Sequence, residues 1–316
     1  MTNPRLEQIH SRFNTPRRLI EDIVSQNLGQ KVLKLNRIIA GEANEVYNIQ
    51  TENNNHIIRI DHRESNVFEK EKWAKDLATD LGVPTPKVLK IGFLINNCKS
   101  YQYSLEEFVA GNIHSIYQTE RETLEAIFEQ AGAILSKIHN IQLSGFGDLN
   151  QDYQGKYATM IDKIKVSKLN QKSDYKAIAI ARNLDWELIN QLFVELEKNL
   201  GVFDREPSVL IHRDFNHKHF IVDDKLQIRS IIDWGEVHAG SPIEDFARWE
   251  LWFGEIFPVE ILTRQYHNQK YLTSNFDLKL KLMQLIEALN LIDYYDKIDD
   301  TDSFPFVMNK IQKILQ

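Results

Sequence analysis

The chain has 316 residues, enough for two lobes or domains rather than one small core. Apolar residues make up 42% and charged residues 26%, the balance of a folded soluble protein, which excludes extended disorder. A net charge of −7 with no extended basic stripe excludes a nucleic-acid binder, and a lone Cys98 excludes a disulfide framework or a Cys-built zinc site.

The first twenty residues, MTNPRLEQIHSRFNTPRRLI, hold no apolar run of the signal-peptide kind. No later window reaches the ~18 apolar residues of a membrane span. A cytoplasmic protein with no membrane partner is expected, and the single cysteine suits a reducing compartment. Thr15–Leu28 reads as a helix with Pro16 in its first turn, Leu19, Ile20, Ile23 and Val24 on one side, and Gly29 as terminator. Extended segments follow at Val32–Ile39, Glu45–Gln50 and His56–Ile60, the last after a turn at Asn53–Asn55. Asn66–Leu81 reads as a helix stopped by Gly82 and the Pro84-Thr85-Pro86 segment. Val88–Leu94 and Tyr101–Val109 read as two more strands.

From Thr119 onward the pattern is helical. Thr123–His139 carries Leu124, Ile127, Phe128, Ala131, Ile134, Leu135 and Ile138 at helical spacing. A Gly-rich corner at Ser144–Leu149 precedes helical segments at Tyr157–Val166 and Trp186–Leu200, and the chain beyond Ala247 is helical to its end, with breaks near Pro258 and Asp299–Ser303. A strand-rich first third and a helix-rich remainder predict an α+β protein. Its boundary is expected near Ala110–Asn112, with a strand-rich domain over 1–110, which the resemblance described below implies to be a nucleotide-binding lobe, and a helical domain over 111–316.

The stretch Val209–Ala247 carries the chemistry. Asp214 follows the apolar Val209-Leu210-Ile211 and opens a polar loop, where it can accept a hydrogen bond from an incoming hydroxyl and take its proton. His219 lies five residues on, and Asp233, after Ile231-Ile232, nineteen residues on. Taken singly, an Asp after a strand is more often a turn or cap residue, and a lone His more often a surface or core residue. Asp233 is harder to explain away, because an unpaired carboxylate beside two isoleucines is costly and a cation bridged to a triphosphate satisfies it. One carboxylate for the acceptor and two groups for Mg²⁺ on the phosphates, in this order, suit phosphoryl transfer from a nucleotide.

These residues resemble the aminoglycoside phosphotransferase and choline kinase superfamily. The segments concerned are His212-Arg213-Asp214, His219, Ile232-Asp233-Trp234-Gly235 and Gly240-Ser241-Pro242-Ile243-Glu244-Asp245. The resemblance covers most of the chain and implies a protein-kinase-like, two-lobed fold with a small β-rich lobe and a larger helical lobe. It implies Asp214 as the catalytic group, His219 and Asp233 as Mg²⁺ ligands, and His212 and Asp245 as loop supports. His at position 219 is similar to the 2''-aminoglycoside and macrolide branches, and needs a neutral imidazole to bind metal. Ser241 departs from the family's Asp, which removes one expected supporting contact.

The same resemblance implies a phosphate-covering loop at Ala40-Gly41-Glu42-Ala43-Asn44, with Gly41 and Asn44 as nucleotide contacts. Arg59 stands where a phosphate-contacting Lys is usual, and its planar fork can clamp phosphate oxygens. Read alone, the loop equals a hairpin turn and Arg59 an outward residue of an alternating strand. Glu71 is the expected partner of Arg59, with Glu69 competing, since helix periodicity aligns Glu71 with Phe68 and Lys75. Main-chain groups of Glu107, Phe108 and Val109 would hold the purine of ATP or GTP.

The acceptor is expected to be a small molecule bearing a hydroxyl. The carboxylates of Glu236, Glu244, Asp245, Glu250 and Glu255 lie after the metal motif, and Glu236 and Glu250 are the candidates for gripping a cationic aminosugar. Trp249, Trp252, Phe253 and Phe257 could line a macrolide-sized pocket, although aromatics at that spacing more often form core. A metabolic alcohol or sugar stays open as acceptor. Two further readings stand beside the kinase. A metal-dependent hydrolase would use His212, Asp214, His217, His219 and Asp233 but leaves the strand-rich third without a role. A nucleotide-binding module that has lost catalysis would suit the single-Gly loop and Ser241.

Overall fold

The structure is a computed structural model that describes residues 4–39, 41–63, 67–273 and 275–316. Ala40 of the expected phosphate loop, Asn66 at the start of the expected helix, and the first three residues of the amino-terminal stretch lie outside the described residues. In chain order the elements begin with α1 (Pro4–His10), α2 (Arg17–Leu28), β1 (Val32–Ile38), β2 (Asn44–Thr51), β3 (Asn55–Asp61), α3 (Val67–Asp80), β4 (Val88–Asn96) and β5 (Lys99–Glu107). There follow α4 (Arg121–Ile138), β6 (Phe146–Leu149), β7 (Gly155–Tyr157), α5 (Met160–Ser167), α6 (Lys172–Ala181), α7 (Trp186–Asn199), β8 (Val209–Ile211), β9 (Phe220–Val222) and β10 (Ile228–Ile231). The chain ends with β11 (His238–Gly240), α8 (Ile243–Phe253), α9 (Glu260–Thr263), α10 (Phe276–Lys297) and α11 (Phe304–Leu315). This is the expected α+β class, strand-rich first and helix-rich after.

The chain divides into two compact units, residues 1–113 with 220–235, and residues 114–219 with 236–316. The β9–β10 hairpin thus returns to the first unit. Main-chain bonds hold it there. Asn112 and Val222 exchange N–H···O bonds of 2.8 and 2.9 Å, and the Ile231 N–H reaches the Pro84 carbonyl at 2.8 Å. Asp233 therefore belongs to the first unit, with Arg59 and Glu71.

The first unit is built on a five-stranded antiparallel sheet in the order β1-β2-β3-β5-β4. Alternation sorts its two faces. Ile58 and Ile60 of β3 and Tyr103 and Leu105 of β5 turn to one side, where Ile20, Ile23 and Val24 of α2 complete an apolar core. α2 ends at Gly29, whose φ of +64° suits a residue without a side chain. The opposite side of β3 and β5 carries Arg59, Gln102, Ser104 and Glu106, and meets α3 through Phe68, Glu71 and Lys75.

The second unit surrounds a four-stranded sheet in the order β7-β6-β11-β8 with helices. Val209, Leu210 and Ile211 of β8 are fully buried and pair with β11, so the polar loop after Ile211 begins from a rigid edge. Among the described residues, no helix is long and apolar enough to cross a membrane.

Candidate active site

In the first unit, Arg59 on β3 makes a two-point ion pair with Glu71 on α3. Nη1 meets Oε2 at short range and Nη2 meets Oε1 at 3.0 Å. Glu71 is buried one turn from Phe68 and Lys75, whereas the competing Glu69 is exposed. The Arg59 guanidinium also lies over the Phe68 ring, 5.0 Å from its centroid. Burial opposes the charge on Arg59, but Glu71 and Glu106 outweigh it and raise its pKa, with a further contribution from Asp233. Sequence reasoning missed two members of this network. Lys75 reaches Glu106 at 2.9 Å, and Glu106 also accepts from Ser104 at 2.8 Å and from Arg59 at 3.4 Å. The signal was present: Glu106 alternates with Ser104 on one strand face, and Lys75 stands one helical turn after Glu71.

Gly41 has φ +71° and its carbonyl is held by His10 Nε2 at 2.9 Å, which ties the loop before β2 to α1. Asn44 is buried at the start of β2, opposite Asp61 of β3. β5 ends at Glu107, whose N–H bonds the Lys87 carbonyl at 2.9 Å. Phe108 and Val109 fall beyond the ladder, and Phe108 is exposed.

Asp233 departs from the expectation that its carboxylate is buried. Ile231 is fully buried, but Ile232 is half-buried and Asp233 exposed. The reason is a tight turn in which Trp234, itself fully buried, donates its indole N–H to the Ile231 carbonyl at 2.9 Å. Asp233 takes φ +64° in that turn and is presented outward. A side-chain carbon built on Gly235 would stand 3.3 Å from a Glu71 oxygen and 3.7 Å from an Asp233 oxygen, so this residue lies close to the Arg59–Glu71 pair.

In the second unit, the loop after β8 is braced from one carboxylate. Asp245 accepts the main-chain N–H of His212 at 3.0 Å and of Arg213 at 2.7 Å, and meets His139 Nε2 at 3.1 Å. His139 is fully buried at the end of α4, and its Nδ1 lies 2.8 Å from the Tyr266 hydroxyl. Burial would raise the Asp245 carboxyl, but His139 and the His212 N–H hold it below the usual range. His212 is fully buried, and its Nδ1 receives the Asp214 N–H at 3.3 Å. Ser241, at the position that departs from the family pattern, bonds Glu206 at short range, and its N–H reaches Glu244 at 3.0 Å.

The loop then turns upon itself. Asn216, which the sequence did not single out, donates to Asp214 Oδ1 at 2.8 Å and to the Asp214 carbonyl at 3.1 Å. His219 Nδ1 lies 2.8 Å from the same carbonyl and 3.6 Å from Asp214 Oδ2. His217 is taken out of this group: its Nδ1 meets the His114 carbonyl at 3.1 Å, and its ring packs edge-on against Phe253.

The carboxylates expected to face an acceptor do not form one cluster. Glu236 is exposed, 3.9 Å from Arg213. Glu250 is instead committed to the Val259 N–H at 2.7 Å. Exposed Glu255 pairs with Lys310 and Lys313 at 2.9 and 3.0 Å. Trp249 and Phe257 are core rather than pocket wall, with the Trp249 indole N–H on the Phe257 carbonyl at 2.8 Å, while exposed Trp252 stacks on Phe306.

A family model described as the phosphotransferase enzyme family, APH, matches residues 34–274. No curated protein matches the sequence. Among solved structures, the chain is similar to a thermostable mutant of aminoglycoside phosphotransferase APH(4)-Ia in ternary complex with AMP-PNP and hygromycin B. The TM-score is 0.73 at 19% identity, over 94% of this chain and 97% of that one. It is also similar to APH(2'')-IIa in complex with gentamicin, at TM-score 0.62 and 16% identity over 96% and 97% of the two chains. ADP-bound APH(2'')-Ib gives TM-score 0.60 and 15% identity over the same shares, 96% and 97%. At these identities the likeness is one of fold.

Proposed function

The chain belongs to the phosphotransferase enzyme family, and from that premise we propose that it moves the γ-phosphoryl group of ATP or GTP to a hydroxyl of a small acceptor. The observation that carries this reading is the braced loop. Asp245 fixes the main chain on one side of Asp214, and Asn216 orients the Asp214 carboxylate on the other. In the transfer, the acceptor oxygen bonds to phosphorus as the bond to the departing nucleoside diphosphate breaks, and the hydroxyl proton passes to Asp214.

The donor set suits a divalent ion. His219 Nδ1 faces a carbonyl, which only accepts, so the ring hydrogen sits there and Nε2 keeps its lone pair for a metal. Asp233 offers an outward carboxylate. We assign His219 and Asp233 as the Mg²⁺ ligands; when bound, the ion supplies charge neutralisation on the β- and γ-phosphates. Arg59, oriented by Glu71, contacts the phosphates, Gly41 and Asn44 cover them, and main-chain groups of Glu107, Phe108 and Val109 take the purine edge. Nucleotides bound to the structural relatives support such a donor.

Aminoglycosides bound to two of these relatives support that acceptor class. A second class, a metabolic alcohol or sugar, is favoured by a specific observation: Glu250 and Glu255, two of the carboxylates that could grip amines, are engaged within the fold. The test is a donor-consumption screen with Mg²⁺, ATP and GTP over aminoglycosides, macrolides and metabolic alcohols. With a hit in hand, Asp214→Asn should slow single-turnover transfer by about 10²–10⁴-fold and leave nucleotide affinity within about twofold. An Asn variant that transfers at the parental rate removes Asp214 from the role.

A further inference from the structure

The segment that joins α1 to α2 is fastened to the first unit's sheet by groups that have no part in the transfer described above. Arg37 on β1 donates from Nη2 to the His10 carbonyl at 2.7 Å and from Nη1 to the Phe13 carbonyl at 3.1 Å. Phe13 stacks on His62, with ring centroids 4.6 Å apart, and the His10 ring meets Phe13 edge-on at 5.2 Å. Thr15 donates to Glu45 Oε2 at 2.6 Å. Glu45 is fully buried, and takes the Tyr47 hydroxyl at 2.6 Å and His62 Nε2 at 3.0 Å as well. Burial would raise its carboxyl, but His62, Thr15 and Tyr47 bring it down to about 2, so it stays charged and accepting. These anchors bracket residues 40–44, with Arg37 before them and Glu45 directly after.

His10 reaches into the bracketed loop. Its ring is buried, and Nε2 lies 2.9 Å from the Gly41 carbonyl. Nδ1 of the same ring faces Arg37 Nη2 at 3.5 Å. A guanidinium only donates and a carbonyl only accepts, so both neighbours demand one tautomer, with the hydrogen on Nε2. His10 therefore donates to Gly41, and Arg37 holds both the ring and the main chain of the donor.

Packing offers the loop little else. Gly41 and Glu42 are exposed, and a side-chain carbon built on Gly41 would meet none of the described atoms within 4 Å. Gly41 has φ +71°, in a region that glycine enters freely, so its own backbone preference does not fix the turn. The peptide that follows is planar and trans, so a hold on the Gly41 carbonyl fixes the whole Gly41–Glu42 unit. A loop ordered beforehand binds more tightly than one that must be ordered by its ligand. A carbonyl oxygen engaged by His10 is also kept from turning toward a polyphosphate, whose negative charge it would oppose.

We propose that residues 10–15 form a strap that pre-sets the phosphate-covering loop, and that His10 is its positioning residue, acting through the Gly41 carbonyl on affinity for the nucleotide. The inference rests on the transfer reading above for the role of residues 40–44, and it extends the donor site to the segment before α2.

The test is calorimetric titration of AMP-PNP or GMP-PNP with Mg²⁺ into the full chain, beside steady-state kinetics and a thermal melt of each variant. His10→Ala should weaken nucleotide binding by about 5- to 10-fold, the range of one lost hydrogen bond, and leave the acceptor KM unchanged. His10→Gln places an amide nitrogen near the position of Nε2 and should bind within about twofold of the parent. His10→Asn, whose amide reaches only as far as Nδ1, should behave like His10→Ala. If the melt shows His10→Ala unfolded, the contrast between the Gln and Asn variants decides alone. Unchanged nucleotide affinity in His10→Ala, or equal weakening in the Gln and Asn variants, overturns the strap. Transfer that depends on Asp214 while binding ignores position 10 removes the strap and leaves the transferase. Rescue by Gln but not Asn, in a parent that transfers to no acceptor, keeps the strap and sinks the transferase reading. A parent that binds neither nucleotide sinks both.

Discussion

Asp245 Oδ1 accepts the Arg213 N–H at 2.7 Å, and so pins the residue before Asp214 in its left-handed conformation. Its other oxygen serves His212 and His139, so one buried carboxylate satisfies three donors from α4 and the loop. Asp245→Asn exchanges one acceptor oxygen for an amide that cannot receive these hydrogens. A loss of about 2–4 kcal/mol in urea unfolding is expected, together with a kcat that falls more than the nucleotide KM rises. Parental stability and parental kcat in that variant would show the brace to be dispensable.

The Arg59–Glu71 pair is two-pointed, and only a guanidinium can make it. Arg59→Lys should therefore raise the KM for nucleotide by about 10-fold, and Glu71→Ala by more, because it leaves Arg59 turned toward Glu106 alone. Steady-state kinetics in nucleotide at saturating acceptor measure this. A change confined to the acceptor KM would place the pair elsewhere in the reaction.

Acid should act on the first unit through Glu106. Burial alone would raise its carboxyl, but Lys75 and Arg59 beside it bring it down from 4.5 to about 2. A carboxyl depressed in the folded state contributes stability above its unfolded value, and that contribution fades as pH falls from 4.5 toward 2. Unfolding midpoints should drop across that window. Glu106→Gln should be less stable at neutral pH and show a shallower drop, while Glu45, depressed in the same way to about 2, keeps part of the slope. Identical pH profiles for parent and variant would contradict the assignment.

Gly132 on α4 allows close approach of α9: a side-chain carbon there would stand 1.9 Å from the Leu262 carbonyl oxygen, a rigid main-chain atom. Gly132→Ala should cost about 1–3 kcal/mol despite the better helix propensity of alanine. Because α4 ends at His139, which meets Asp245, kcat should fall as well. A thermal melt beside an activity assay checks both.

Much of the fold was legible because its signals are local. Ile20, Ile23 and Val24 with Gly29 define α2, and the alternation around Ile58 and Ile60 defines β3 and puts Arg59 on the other face. Asp214 and Asp233 stood out by the apolar runs before them, and His219 by its spacing from Asp214. What was missed depends on partners distant in sequence. Lys75 and Glu106 became part of the Arg59 network through the pairing of β3 with β5 and the packing of α3. Glu250 looked free in a string of acids until Val259 came round to meet it.

The chain by itself determined the order and identity of the chemical groups and the elements that carry them, since these follow from short-range periodicity and turn residues. Only the tertiary structure decided which charges are neutralised and which are left over. Glu71 rather than Glu69 holds Arg59, Asp233 is exposed, and Glu250 is taken up by the Val259 N–H. The reason is physical: the energy of a charge depends on its burial and on neighbours within a few ångströms, and those neighbours come from residues far apart in the chain.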